Sequence, residues 1–466
     1  MRHGTSRIEP TRATPIQALE PETRTVHAAQ QVVLDLFGPP SAREFAVRYW
    51  DGTTERPAGH PPFTLDIRGP SSLRHMLLPP TELSIAEAYV LGDVDIVGDM
   101  ERAANLGDVV AGRIGSIRGA LALLRHVLAL PAANAGDHTH SETNEHSARW
   151  MIRFGREHSA GRDARAVRFH YDVGNEFYAL WLDRQMVYSC AYFTRGDETL
   201  NDAQTAKLEH VCRKLRLRPG DHLLDIGCGW GALAIHAARR HGARVTGITL
   251  SEAQAAFARD RVAGDGLDDR VTIQVRDYRA LGDDEQFDKI ASVGMVEHVG
   301  HARLPEYFAS AFRALVPGGL FLNHGIVDLE ESKPHSILDP LWRRLWRRDR
   351  FIHRYVFPDG RLVPAADIVG SAEAQGFELR DVESLREHYV ETLRHWVRRL
   401  ERRQAEVKAI VGDVTYRVWR LYMAASAHGF RSGRIGIIQS LLAKPDARGS
   451  VHLPRTRADV YAPPAQ

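Results

Sequence analysis

Three glycines at every second position interrupt an apolar run in Leu223-Leu-Asp225-Ile-Gly227-Cys-Gly229-Trp-Gly231-Ala-Leu-Ala. The segment reads as a strand, a glycine-punctuated turn and the start of a helix. Glycine there lets the backbone pass close to a ligand, where a Cβ would clash. Asp225, at the strand's end, can orient the loop or hydrogen-bond a ligand amine. The same turn also suits a plain strand-to-helix connection, so the neighbouring segments decide. His222–Ile226, Arg244–Ile248, Val271–Val275, Lys289–Val293 and Leu320–Asn323 read as short β-runs, with helical Ala232–Arg240, Glu252–Ala263 and Pro305–Leu315 between them. This alternation predicts an α/β fold, a Rossmann-like, doubly wound parallel sheet with helices on both faces.

The turn is not a dinucleotide fingerprint. Its spacing is G-x-G-x-G rather than G-x-G-x-x-G, and the next strand runs into Gly247-Ile-Thr249-Leu-Ser251 instead of an acid. The absence of G-x-x-x-x-G-K-[ST] excludes a P-loop nucleotidase. Lys+Arg 61 against Asp+Glu 59 leaves the chain near neutral, which argues against a nucleic-acid partner. Cys190, Cys212 and Cys228 cannot form a disulfide framework and suit a reducing compartment. No apolar stretch reaches the roughly 18 residues of a membrane span, and the N-terminus lacks a signal-peptide core, so a cytoplasmic protein is expected.

Upstream of the sheet, Val26–Phe37 reads as an amphipathic helix ended by Gly38-Pro39-Pro40, and Phe45–Trp50 and Phe63–Ile67 read as strands. Ser84–Gly98 mixes helix and strand, and residues 107–130 look helical. The expected division is a flexible segment at 1–25, a small N-terminal α+β domain over 26–130, a polar linker at 131–150, a catalytic domain over 151–445 and a flexible tail at 446–466.

The D-I-G-C-G-W-G form of the turn resembles the S-adenosylmethionine loop of class I methyltransferases. Arg276-Asp277-Tyr278 follows the third strand, where such enzymes hold the adenine, and Glu297 follows the fourth. A wider series is more specific. It comprises His170-Tyr-Asp172-Val-Gly174-Asn175-Glu-Phe177-Tyr178, Met186-Val-Tyr188-Ser189-Cys190-Ala191-Tyr192-Phe193 and Ser292-Val-Gly-Met-Val-Glu297-His298-Val-Gly300. Asn323-His324-Gly325-Ile326, Phe357-Pro-Asp-Gly360, Glu387-His388-Tyr389 and Gly429-Phe430-Arg431 follow. In this order it resembles the cyclopropane-fatty-acyl-phospholipid synthase family, which includes the mycolic acid cyclopropane synthases, over residues 165–442. Thr81–Asp99 also resembles the extra N-terminal domain of its phospholipid-acting members.

The resemblance implies a class I methyltransferase fold and transfer of a methylene group from S-adenosylmethionine to a cis double bond of an unsaturated phospholipid acyl chain. An alkene is a weak nucleophile, so holding it against the methyl sulfonium in a dry site supplies much of the rate. The resulting carbocation needs aromatic faces or anions beside it, and a base must take a proton from the new methyl group. The resemblance implies that bound bicarbonate is this base, held by Cys190, Glu297, His324, Tyr389 and the backbone of Ile326; it implies no metal. Cofactor contacts are expected at Tyr188, Ser189, Asp225, Gly227, Gly229, Gly231, Thr249, Ser251, Gln254, Asp277 and Tyr278.

Two positions depart from the family pattern. Where many members carry a cysteine shortly before the Phe-Arg motif, this chain has Ser426, which removes covalent cysteine catalysis there. Arg434-Ile-Gly-Ile-Ile lacks a tryptophan expected in that helix, which bears on tunnel shape.

On a helix, Leu341-Trp342-Arg-Arg-Leu345-Trp346-Arg-Arg sets two tryptophans and two leucines along one stripe flanked by guanidinium groups. Such a stripe suits either anionic lipid or a protein core. Docking there would make the protein peripheral to the inner face of the membrane. His395–Arg403 reads as a solvated helix face. The N-terminal domain is expected to aid lipid engagement or homodimerisation. The rival readings are a methyl- or methylene-branching enzyme, an amine N-methyltransferase and a non-catalytic lipid-binding protein.

Overall fold

The computed structural model describes residues 21–114, 117–132, 173–282, 284–330, 351–357 and 360–461. Residues 133–150 of the expected linker, His170, Tyr171 and the Leu341–Trp346 stripe lie outside the described residues. No helix among the described residues is long and apolar enough to cross a membrane.

The N-terminal unit is built on β1 (Ala46–Arg48), β2 (Thr54–Glu55), β3 (Phe63–Ile67) and β4 (Val94–Gly98), in the order β2-β1-β3-β4. Phe63, Leu65 and Ile67 alternate inward along β3, as a period of two requires. The first helix spans Pro21–Phe37, so it begins inside the expected flexible segment. Thr81 caps Glu82–Val90 through a reciprocal capping box with Ser84.

The main sheet comprises β5 (His222–Ile226), β6 (Arg244–Thr249), β7 (Val271–Val275), β8 (Phe287–Val293), β9 (Leu315–Asp328), β10 (Glu378–Ser384) and β11 (Ile435–Ala443). Its order is β10-β11-β9-β8-β5-β6-β7. The five expected β-runs pair in parallel, but β10 and β11 pair antiparallel at one edge. The sheet is therefore mixed, and the segment after Arg434 is a strand rather than a helix. Lying between β10 and β9, β11 is buried along nearly its whole length, so its apolar run carries no periodicity to mark it.

The two units share one apolar core, which runs from Val26 and Leu65 to Trp419 and Phe430. Arg420 crosses between them, donating to Tyr89 Oη, Ile96 O and Gly98 O at 3.0 Å each. Arg417 pairs with Asp95 at 3.0 Å, and Arg394 with Glu101 at 2.7 Å. The expected flexible tail is instead packed as far as Tyr461. Val460 is buried, Arg216 pairs with Asp459 at 2.7 Å, and Arg457 pairs with Asp381. These are partners from distant parts of the chain, which local composition does not reveal. His395–Arg403 is likewise only partly solvated, because Trp396 and Leu400 are buried and Glu401 binds Arg420.

Candidate active site

From β5 the chain crosses to β6 and β7, then returns to β8 on the other side of β5. A crevice forms at such a reversal, outside the carboxyl ends of the strands. Here it is a cleft open to solvent. Nine of the expected cofactor residues line it: Tyr188, Ser189, Asp225, Gly227, Gly229, Thr249, Gln254, Asp277 and Tyr278.

The remaining two stand behind it. Gly231 opens the helix Ala232–His241 at φ 81°, where a Cβ would lie 3.1 Å from that of Ala258. Ser251 caps the helix Glu252–Gly264 by accepting from Gln254 N, and Thr249 Oγ1 donates to Gln254 Oε1 at 3.0 Å. Thr249 and Ser251 thus fix Gln254 at the cleft. Gly227 has φ 81°, and a Cβ there would fall 2.5 Å from Met295 Cγ.

Asp225 is buried with no partner for Oδ2 among the described residues. Burial pushes its carboxyl up to about 7, against the pull of Lys207. An unsatisfied carboxyl oxygen beside a backbone cradle fits the ammonium end of an amino-acid-bearing cofactor.

Sequence reasoning passed over Gln204 and Lys207. Gln204 Nε2 donates to Ser189 O at 2.8 Å, and Lys207 Nζ donates to Ser189 Oγ at 3.0 Å. Burial lowers Lys207 to about 8, with Asp183 opposing. The available signal is spacing: both stand on the same buried face of Leu200–Lys214 as Ala203, Leu208 and Val211, where polar side chains need a partner.

An aromatic wall adjoins the cleft. Ring centroids of Tyr178 and Trp230 lie 5.0 Å apart, of Tyr188 and Trp396 5.2 Å, and of Trp181 and Trp419 5.6 Å. Trp230 Nε1 donates to Asn175 Oδ1 at 2.8 Å, tying the glycine turn to the helix Asn175–Ala179.

The segments that carry the five residues of the implied base site adjoin where β9 and β11 reach the helix Arg386–Arg402. Ile326 N donates to Glu297 Oε1 at 2.7 Å. His324 and Ile326, two apart on β9, share a face. Opposite Ile326 is Ile437, whose carbonyl accepts from Leu385 N at 2.9 Å. Leu385 O accepts from Tyr389 N at 3.1 Å and lies 3.7 Å from Cys190 Sγ. The Ile326 N–H, implied as a ligand in its own right, is already given to Glu297.

The protonation states suit donation to a small oxyanion. Burial pushes the Glu297 carboxyl up to about 7, although the Ile326 N–H opposes this. His324 falls to about 3 through burial, helped by Lys207, so the imidazole is neutral. Its Nδ1 lies 3.0 Å from the Gln439 amide nitrogen, which assigns the ring proton to Nε2. Burial likewise pushes the Cys190 thiol up, keeping it protonated. Glu297 Oε2 and His324 Nε2 are both buried with no partner among the described residues. Such orphaned atoms are costly, and each calls for a polar partner.

Residues 158–440 match the family model of mycolic acid cyclopropane synthetase, and residues 34–106 match that of a domain of unknown function. A probable fatty acid methyltransferase of Pseudomonas putida is 40% identical over 415 residues, covering 89% of this chain and 95% of that protein. The cyclopropane mycolic acid synthase MmaA2 of Mycobacterium tuberculosis is 39% identical over 286 residues, covering 60% of this chain and 96% of its own length. The crystal structure of a mycolic acid cyclopropane synthase complexed with SAH and CTAB superposes with a TM-score of 0.57 at 35% identity, covering 60% of this chain and 97% of that one.

Proposed function

The chain belongs to the mycolic acid cyclopropane synthetase family and is an S-adenosylmethionine-dependent methyltransferase; from that premise we propose that it closes a cyclopropane ring on the cis double bond of an unsaturated phospholipid acyl chain. The observation that carries this reading is the pair of buried polar atoms without partners among the described residues, Glu297 Oε2 and His324 Nε2, on segments that adjoin those of Cys190 and Tyr389. When bound, S-adenosylmethionine supplies an electrophilic methyl group and bicarbonate supplies a base.

The chain's own residues do the rest. Asp225 holds the cofactor's ammonium, and Gln204 and Lys207 set Ser189 at the cleft. Glu297 keeps its proton below its raised pKa of about 7 and, with His324 Nε2–H, donates to the small oxyanion. Tyr188 and Trp230, backed by the buried Tyr178 and Trp419, exclude water and present π-faces to a developing cation, each contact worth about 1–2 kcal/mol when desolvated. Loss of a proton from the new methyl group then lets the ring close.

A second reading keeps the site and changes the cation's fate: a hydride shift followed by loss of a proton to the base gives a methylene-branched chain, or a methyl-branched one that keeps a double bond. It is favoured by the Pseudomonas putida relative, a probable fatty acid methyltransferase whose match takes in the N-terminal unit as well. We place the protein at the cytoplasmic face of a membrane, docked through the Leu341–Trp346 stripe.

Incubation with S-adenosylmethionine and dioleoyl-phospholipid vesicles, followed by NMR of the extracted lipid, separates the readings. Ring methylene signals support the first, branched products the second, and no lipid product at all overturns both. Glu297→Gln and Tyr389→Phe should each depress turnover while leaving cofactor binding intact; wild-type rates in either remove the base site. For docking, vesicle co-sedimentation that is unchanged in Trp342→Ala/Trp346→Ala, at low and high salt, removes the stripe.

A further inference from the structure

We propose that Cys212, His236, His241 and Glu209 form a zinc site that clips two helices together behind the cofactor cleft. Glu209 and Cys212 stand three residues apart on Leu200–Lys214, while His236 and His241 lie on Ala232–His241. One donor atom each from Cys212, His236 and His241 falls within 4.8 Å of the others. Glu209 Oε2 lies 3.1 Å from Nε2 of both histidines.

These separations fit four-coordinate zinc. With bonds of about 2.0 Å to nitrogen and oxygen and about 2.3 Å to sulfur, tetrahedral neighbours stand about 3.3 Å apart, or about 3.5 Å where one is sulfur. The carboxylate oxygen and the two ring nitrogens already stand near two edges of such a tetrahedron. The separations not fixed by Glu209 are each within 4.8 Å, so closing them takes side-chain shifts of at most about 1.5 Å.

A carboxylate accepting from two imidazoles and from Arg213, at 3.0 Å, accounts for Glu209 without a metal. It does not account for the thiol. Cys212 is completely buried with a free thiol, and its Sγ lies within 4.8 Å of a ring nitrogen of each of the two imidazoles.

The donor set selects the metal. One thiolate, two imidazoles and a carboxylate suit zinc, whereas calcium and magnesium require oxygen donors throughout. On binding, the thiol loses one proton to solvent, and each imidazole carries its proton on Nδ1 so that Nε2 presents a lone pair. With all four positions filled by protein, the site is structural rather than catalytic.

The clip would act on the cleft. Leu200–Lys214 carries Gln204 and Lys207, which hold Ser189, and Ala232–His241 starts at Gly231 of the glycine turn.

The test uses the full chain, stripped with EDTA, dialysed and titrated with cobalt(II) as a spectroscopic stand-in. The expected result is one cobalt per chain with intense tetrahedral bands and a thiolate-to-cobalt charge-transfer band, both lost on adding zinc(II). Cys212→Ser and His241→Gln should lose the charge-transfer band, and Cys228→Ser should keep it. Zinc should raise the melting temperature of the wild type and not that of His241→Gln. Weak octahedral bands without charge transfer would overturn the site, as would a band that survives in His241→Gln. The half-buried position of His241 keeps that variant decisive even if Cys212→Ser fails to fold.

Discussion

Replacing Glu297 with glutamine should change how stability depends on pH by an amount the structure sets. The carboxyl is buried, with Oε1 accepting from Ile326 N at 2.7 Å and Oε2 without a partner among the described residues. Burial raises its pKa from 4.5 to about 7. The folded protein therefore binds this proton more tightly than the unfolded chain does. The resulting stabilisation is complete below pH 4.5 and is lost as pH rises through 7. At about 1.4 kcal/mol per pH unit, the loss between pH 5 and pH 8.5 is about 2.5 kcal/mol.

Glutamine keeps the volume and the acceptor for Ile326 N–H but does not titrate. Any fixed cost of burying its amide is the same at both pH values and cancels. Other titrating groups are common to the two proteins. Urea unfolding of wild type and Glu297→Gln, without cofactor, measures the difference. The variant should gain about 2.5 kcal/mol on the wild type between pH 5 and pH 8.5. Parallel pH profiles, agreeing within about 0.5 kcal/mol, would show that the folded state does not hold Glu297 as a neutral acid.

Three further outcomes are expected. Gly227→Ala places a Cβ 2.5 Å from Met295 Cγ at a φ of 81°. Calorimetry with S-adenosylhomocysteine should show roughly tenfold weaker binding, equivalent to about 1.4 kcal/mol, with the circular dichroism unchanged. Lys207→Met keeps the side chain's length but removes the donor to Ser189 Oγ, so cofactor affinity should again fall by about tenfold. Affinity equal to wild type would reduce Lys207 to packing. Arg420→Met strands Tyr89 Oη and the carbonyls of Ile96 and Gly98, which should cost about 3 kcal/mol and speed proteolytic release of the N-terminal unit.

Local pattern alone determined a good part of this protein. Short apolar runs alternating with helical segments place β5 to β8 and the helices between them, because strands covered on both faces of a parallel sheet read as continuous apolar runs. The Gly227–Gly231 turn is legible because only glycine tolerates its backbone angles and close contacts. Tertiary structure decided what depends on partners far along the chain. β11 is a strand because β9 and β10 flank it, and the tail is ordered because Arg216 and Asp381 receive it. Gln204 and Lys207 gain their role only when Ser189 folds against them. The protonation of Glu297 and His324 follows from burial, which is a property of the assembled core and of no residue taken alone.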